Sequence, residues 1–207
     1  FHRILQFCCQ FCFVSIILTY QHVIIRYMIS VKDLTKTYGT FKALKGISFE
    51  IDQGEVVGFL GPNGAGKTTT MRVLSSYMPA DSGTVEVAGY DVFHSSLEVK
   101  KRVGYLPEIV PLYPEMTVSG YLNYVAQIKD IPYHQRPERL DFVLEACGLK
   151  DRRKQITGQL SKGYRQRVGL AQSLIHDPEV IILDEPTSGL DPRQIIEIRE
   201  LIRQLGQ

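Results

Sequence analysis

Gly61-Pro62-Asn63-Gly64-Ala65-Gly66-Lys67-Thr68 decides how the rest of this chain is read. The stretch fits the pattern G-x-x-x-x-G-K-[ST], a phosphate-binding loop, and each part has a physical reason. Glycines let successive backbone N–H groups turn inward with no Cβ in the way, which forms a nest for an anion. A helix starting at Lys67 presents its positive N-terminal end to the same anion. Lys67 offers a point charge to the β- and γ-phosphates, and Thr68 a hydroxyl ligand for Mg²⁺.

The surroundings suit such a loop. Glu55-Val56-Val57-Gly58-Phe59-Leu60, just before it, is a short apolar run of the kind expected of a buried parallel strand. A helical stretch follows, from about Lys67 to Tyr77. Residues 29–60 read as strands, with Ile47-Ser48-Phe49-Glu50-Ile51 alternating as a half-buried strand does. Thr84–Ala88 alternates again and ends at Gly89. From about residue 111 to 160 the character is helical: Thr117–Lys129 and Pro137–Cys147 read as helices, with Gly148 as a C-terminal stop. This is expected to be a helical subdomain inserted into an α/β core. Ser161 to His176 reads as another helix. Asp191 is placed to N-cap a last helix that Pro192 opens and that runs to Gln207.

Val180-Ile181-Ile182-Leu183 is the most apolar strand, and it ends in Asp184-Glu185. An acid at the end of a buried strand is costly unless something compensates it. Mg²⁺ is the natural compensation, so Asp184 is expected to hold the metal. Glu185 beside it is placed to orient or deprotonate an attacking water. These two elements specify a phosphate-loop nucleotidase and do not separate kinases, motors, helicases and transport ATPases.

Composition sets outer bounds. The 207 residues suffice for one domain, or one domain with a subdomain. With 44% hydrophobic and 22% charged residues, disordered and collagen-like classes are excluded. A formal net charge of +2 is too small to imply nucleic-acid binding by bulk electrostatics. Residues 1–27 carry Arg3 and Arg26 with no acid, and they hold Cys8, Cys9 and Cys12. Cys147 stands alone in the body, which fits a reducing compartment. The apolar stretch Phe11–Leu18 falls short of the roughly 20 residues a membrane helix needs. No small-residue cleavage site follows it. The expectation is that translation begins at Met28 and that residues 1–27 are a leader outside the native fold; a membrane-associating segment is the other reading.

Leu160-Ser161-Lys162-Gly163-Tyr164-Arg165-Gln166-Arg167 precedes a helix and lies shortly before the acidic strand. Ser161 is placed to N-cap that helix, and Gly163 leaves backbone amides open, a second anion site in the same chain; a plain capped helix is the bland alternative. Together GPNGAGKTT, LSKGYRQR and LDEPTSGLD, in that order, resemble the ATP-binding subunits of ABC transporters, over residues 28–207. The resemblance implies a P-loop NTPase core with a mostly parallel sheet, an N-terminal antiparallel β subdomain and the inserted helical subdomain. It implies ATP and Mg²⁺ as cofactors. The nucleotide-binding set would be Tyr38, Gly61, Pro62, Asn63, Gly64, Ala65, Gly66, Lys67, Thr68, Thr69, Ser161, Gly163 and Asp191. Tyr38 would stack on adenine, with a strand-ending tyrosine as the alternative. Ser161 and Gly163 belong to the signature motif LSGGQ, which binds the γ-phosphate held by the opposite subunit; here Lys162 replaces its first glycine and Tyr164 its glutamine. Ser188-Gly189-Leu190-Asp191 matches the D-loop. Gly104-Tyr105-Leu106-Pro107-Glu108 matches the Q-loop with glutamate in place of glutamine, so Glu108 joins Lys67 and Glu185 as catalytic, and Thr68 and Asp184 as metal-binding.

The GYLPE and LSKGY variants are similar to the gliding-motility type of bacterial ABC-2 exporter subunit. The family also has a switch histidine roughly thirty residues past the catalytic glutamate. The sequence ends before that point and His176 precedes the acidic strand, so the domain is expected to be C-terminally truncated, with ATP binding retained and hydrolysis impaired. The partners implied are a second cassette, as a homodimer or a paired subunit, and a membrane permease, with no nucleic acid. The implied location is the cytoplasmic face of the inner membrane. A soluble ABC ATPase of DNA repair or translation is the alternative, disfavoured by the single cassette and the lack of a heptad run. A non-enzymatic ATP-gated regulator is a third.

Overall fold

The fold is described from a computed structural model, which covers the backbone of residues 15–19 and residues 28–205. Two four-stranded sheets organise it. Strand β1 (Ser15–Thr19) belongs to one sheet, and β2 (Ile29–Tyr38) and β3 (Phe41–Ile51) to the other. In chain order follow β4 (Val56–Phe59), α1 (Lys67–Leu74), β5 (Ser82–Val87), β6 (Tyr90–Asp91), α2 (Ser96–Arg102) and β7 (Val103–Leu106). Helices α3 (Val118–Ile128), α4 (Arg136–Ala146) and α5 (Lys162–Leu174), strand β8 (Val180–Leu183) and helix α6 (Pro192–Leu205) complete it.

The first sheet, ordered β3-β2-β5-β6, is antiparallel throughout, as the resemblance implied. The second is ordered β4-β1-β8-β7. There β7 and β8 are parallel, and β1 is antiparallel to both β4 and β8, so three of its four strands run one way. Their C-terminal ends deliver the phosphate loop, Glu108 and Asp184-Glu185 to one edge, the edge where open α/β sheets bind ligands.

Strand β8 shows why its sequence is continuously apolar. Val180 and Ile182 pack into a core with Ile29, Leu34, Met71, Leu74 and Val85. Ile181 and Leu183 point the other way, into a core with Leu122, Leu144, Val168 and Ile198. Successive strand residues face opposite sides, so a strand with both faces covered needs an apolar residue at every position. The second core ties the helical subdomain, α3 and α4, to α5 and the sheet.

Two expectations need correction. Strand β4 is covered on one face only: Val57 and Phe59 pack against the core, whereas Val56 is 52% exposed and Leu60 just beyond it 62%. Among the described residues it is an edge strand, and its other face is left uncovered. The expectation that residues 1–27 stand outside the fold falls mostly on residues beyond those described. Within that stretch, Ser15–Thr19 form a strand that pairs antiparallel with both β4 and β8. Helix α1 stops at Leu74 rather than Tyr77, because the chain turns through Ser76 at φ 53°. Helix α2 carries only a short, largely charged sequence and gave no periodic signal. Thr117 and Asp191 act as helix N-caps. Among the described residues, no helix is long and apolar enough to cross a membrane.

The subdomain junction contains a pH-sensitive contact. Lys129, at the end of α3, donates from Nζ to the Lys100 carbonyl at 2.7 Å and lies 3.2 Å from Nε2 of His176. Burial first, and then the Lys129 ammonium, push the His176 imidazole down to about 3. An unfolded histidine titrates near 6.5, so below that pH the unfolded chain takes up a proton that the folded chain refuses. Stability from this group is present above pH 6.5 and lost as pH falls, by about 2 kcal/mol between pH 6.5 and 5. His176→Gln is expected to flatten this part of the profile. Thermal melts should show wild type losing about 4–8 °C more than the variant over that interval.

Candidate nucleotide site

The phosphate loop joins the end of β4 to α1. No side chain caps the helix; its N-cap is Gly66, at φ 88°. No acid occupies the first turn, so the N-terminal end is open to an anion. Gly66 is required twice over. A left-handed φ disfavours any residue with a Cβ, and a Cβ here would lie 2.6 Å from both the Ala43 carbonyl oxygen and Leu44 Cδ2. The loop is therefore pressed against the backbone of β3.

Lys67 is buried and its ammonium already points into the loop. It donates to the carbonyls of Gly61 at 2.8 Å and Pro62 at 3.1 Å. Those bonds hold the charge where phosphate oxygens would take it over. Thr68 donates from Oγ1 to Oδ1 of Asp184 at 3.2 Å, across 116 residues of sequence. The two form a pair of hard oxygen donors at the end of β8, one of them a carboxylate that is 1% exposed, and this donor set fits Mg²⁺. Among the described residues, no three carboxylate, histidine or cysteine side chains converge as a cage for a metal. The pair suits an ion that keeps water and phosphate oxygens in its shell, as Mg²⁺ does.

Glu185 stands at the mouth with φ 51°, a strained backbone for a residue with a side chain. Partial burial raises its carboxyl above the usual range, helped by the negative charges of Glu108 and Asp184 and opposed by Lys67. Glu108 and Glu185 thus share one electrostatic environment although they sit in the loops after different strands, β7 and β8.

These groups surround an open cleft of about 360 Å³. Asn63, Gly64, Gly66, Lys67, Thr68 and Thr69 of the loop and α1 line it, together with Glu108, Glu185 and Tyr38. Sequence reasoning missed two lining residues, Phe41 and Ala43, and Ser188, named there only as part of the D-loop, also lines the cleft. Phe41 had a local signal. It pairs with Tyr38 across the β2–β3 turn, so two aromatic rings, 44% and 57% exposed, flank the mouth. Ala43 had none, because its part is the close approach to Gly66.

Ser161, Gly163 and Asp191 do not line this cleft. Ser161 Oγ accepts from the Tyr164 amide at 3.4 Å and caps α5, the plain role foreseen for it. Ser161 and Lys162 are exposed, while Gly163 is buried. Asp191 Oδ1 accepts from the amides of Arg193 and Gln194 at 3.0 Å each.

A phosphate loop between strand and helix, with a buried aspartate bonded to its threonine, defines a P-loop nucleotide-binding domain. The chain belongs to the ABC transporter family, whose sequence profile, described as "ABC transporter", matches residues 44–188. It is 41% identical over 180 residues to the bacitracin transport ATP-binding protein BcrA of Bacillus licheniformis, covering 87% of this chain and 58% of that protein. It is 36% identical to the linearmycin resistance ATP-binding protein LnrL of Bacillus subtilis, with the same two coverages of 87% and 58%. The chain thus spans less than two thirds of the length of these relatives. Among solved structures, cbiO1 of Clostridium perfringens, described as part of the ABC transporter complex cbiONQ, superposes with a TM-score of 0.75 at 28% identity, covering 87% of this chain and 74% of that one. The dimeric ATP-binding cassette MJ0796, described as bound to ADP and Pi, superposes with a TM-score of 0.75 at 24% identity, a likeness of fold.

Proposed function

We propose that this chain binds ATP with Mg²⁺ and hydrolyses it as one of two cassettes that close on nucleotide, driving a partner permease of the exporter type at the cytoplasmic face of the membrane. The observation that carries the reading is the split between two anion-binding motifs. Lys67, Thr68 and Glu185 line one cleft, with Asp184 bonded to Thr68 just beneath, whereas the loop bearing Ser161 is exposed elsewhere on the chain. A second copy would bring that loop to the open side of the cleft.

In this reading the loop amides and Lys67 bind the β- and γ-phosphates, and Tyr38 stacks on the base. Thr68 and Asp184 would hold Mg²⁺, which supplies charge neutralisation at the phosphates. Glu185 accepts the proton of the attacking water or orients it. Glu108 sits where it feels both the water and Glu185, and with the helical subdomain faces the permease. The relatives named for bacitracin transport and linearmycin resistance favour an exporter.

The sandwich is tested with Glu185→Gln in the full-length protein. Saturating ATP and Mg²⁺ should give a stable dimer by light scattering, and a monomer under those conditions would overturn this part of the reading. The base contact is tested separately. Tyr38→Ala should weaken ATP binding by roughly 2- to 10-fold in a titration, the worth of one aromatic stack.

A further inference from the structure

The segment leaving Glu185 is tied to the start of α5 by two long side chains, each lying on a glycine of the other segment. Lys162, the first residue of α5, stretches across Gly189, where a Cβ would overlap its Nζ and come within 3.3 Å of Cε. Gln194, in the first turn of α6, covers Gly163, where a Cβ would lie 2.7 Å from Cδ and 2.8 Å from Oε1. The exchange is reciprocal, and it needs both glycines bare. Lys162 takes part only because lysine stands where the family signature has glycine.

Both ends of this clasp are anchored. The Ser161 cap holds the start of α5, and the Asp191 cap holds the backbone of Gln194. Between Glu185 and Asp191 there is little slack. The Ser188 amide donates to the Glu185 carbonyl at 3.0 Å, the Leu190 amide to the Thr187 carbonyl at 3.3 Å, and Leu190 is buried. A shift at Gly189 or Gln194 therefore reaches the Glu185 backbone through short hydrogen-bonded turns. Glu185 is the residue that needs holding: its φ of 51° persists only where the surroundings impose it.

We infer that Lys162 and Gln194 are positioning residues that together hold the Glu185 backbone and couple its placement to the exposed loop around Ser161. The inference rests on the proposed role of Glu185 in hydrolysis. Its test uses Lys162→Ala, Gln194→Ala, their double variant and Lys162→Arg in the full-length protein. All four should bind ATP within about twofold of wild type, because the phosphate loop is untouched, while each alanine variant loses about tenfold in kcat through a misplaced Glu185. The double variant should lose about as much as the more damaging single and no more, because either change opens the same clasp. Lys162→Arg, which can span the same path, should keep kcat within about threefold of wild type. The clasp is overturned if the double loss equals the product of the single losses, if neither single variant changes kcat, or if only ATP affinity changes. Glu185→Gln separates the two ideas: wild-type hydrolysis in that variant would sink the role of Glu185. An inactive Glu185→Gln beside fully active alanine variants would sink the clasp alone.

Discussion

Gly66→Ala is expected to abolish measurable ATP binding, raising the dissociation constant by at least about 100-fold, with the domain still folded. Two costs add at this position. Moving a residue with a Cβ into the left-handed region costs about 1–2 kcal/mol. The new Cβ would also sit 2.6 Å from the Ala43 carbonyl oxygen and from Leu44 Cδ2. Leu44 can turn aside, but the Ala43 carbonyl is main chain held between Lys42 and Leu44, which both pair with β2, so the loop itself must lift. Lifting it disperses the amides that form the anion nest and moves the base of Lys67. Gly64 is the internal control. Its φ is 80°, yet a Cβ there meets nothing within 4 Å. Gly64→Ala should therefore carry only the backbone cost, about a 10-fold loss of affinity. Titration with a fluorescent ATP analogue, beside a thermal melt, measures both. Equal effects of the two substitutions would refute the steric argument.

Glu185→Gln should reduce hydrolysis by about 100- to 10,000-fold while leaving ATP affinity within about threefold. Glutamine keeps the shape of the side chain and can occupy the same backbone conformation, so the loop after β8 need not move. It cannot accept a proton. The carboxyl of Glu185 is raised by burial and by Glu108 and Asp184, which makes it a better proton acceptor than an exposed glutamate. Glu108 is unsuited to replace it, since it approaches from β7 rather than from the end of β8. Single-turnover hydrolysis measured beside equilibrium binding separates the two effects. A loss of affinity matching the loss of rate would instead mean that Glu185 only helps to hold nucleotide.

The readable parts of the chain were those whose chemistry is contiguous. Gly61–Thr68 needs a strand before it and a helix after it, and both show in the local pattern. Val180–Leu183 reads as a two-faced strand because every residue is apolar, and the structure shows the two cores that require this. Strand β4 misled, because an apolar run looks the same whether the strand is central or at the edge. Its exposure depends on what covers it, and nothing in Val56–Phe59 encodes that. Phe41 could have been found beside Tyr38, since a tight hairpin brings the two side by side.

The nucleotide chemistry and the family are written in short segments with set spacing: a phosphate nest, a lysine and an acidic strand end. Packing, by contrast, presses Gly66 on β3, bonds Thr68 to Asp184, and holds Glu185 at a positive φ within the fields of Glu108 and Lys67. It also lays Lys162 and Gln194 across each other's glycines. These are contacts between segments far apart in the chain. Their geometry is set by how sheets and helices pack, and no local pattern of residues carries that information.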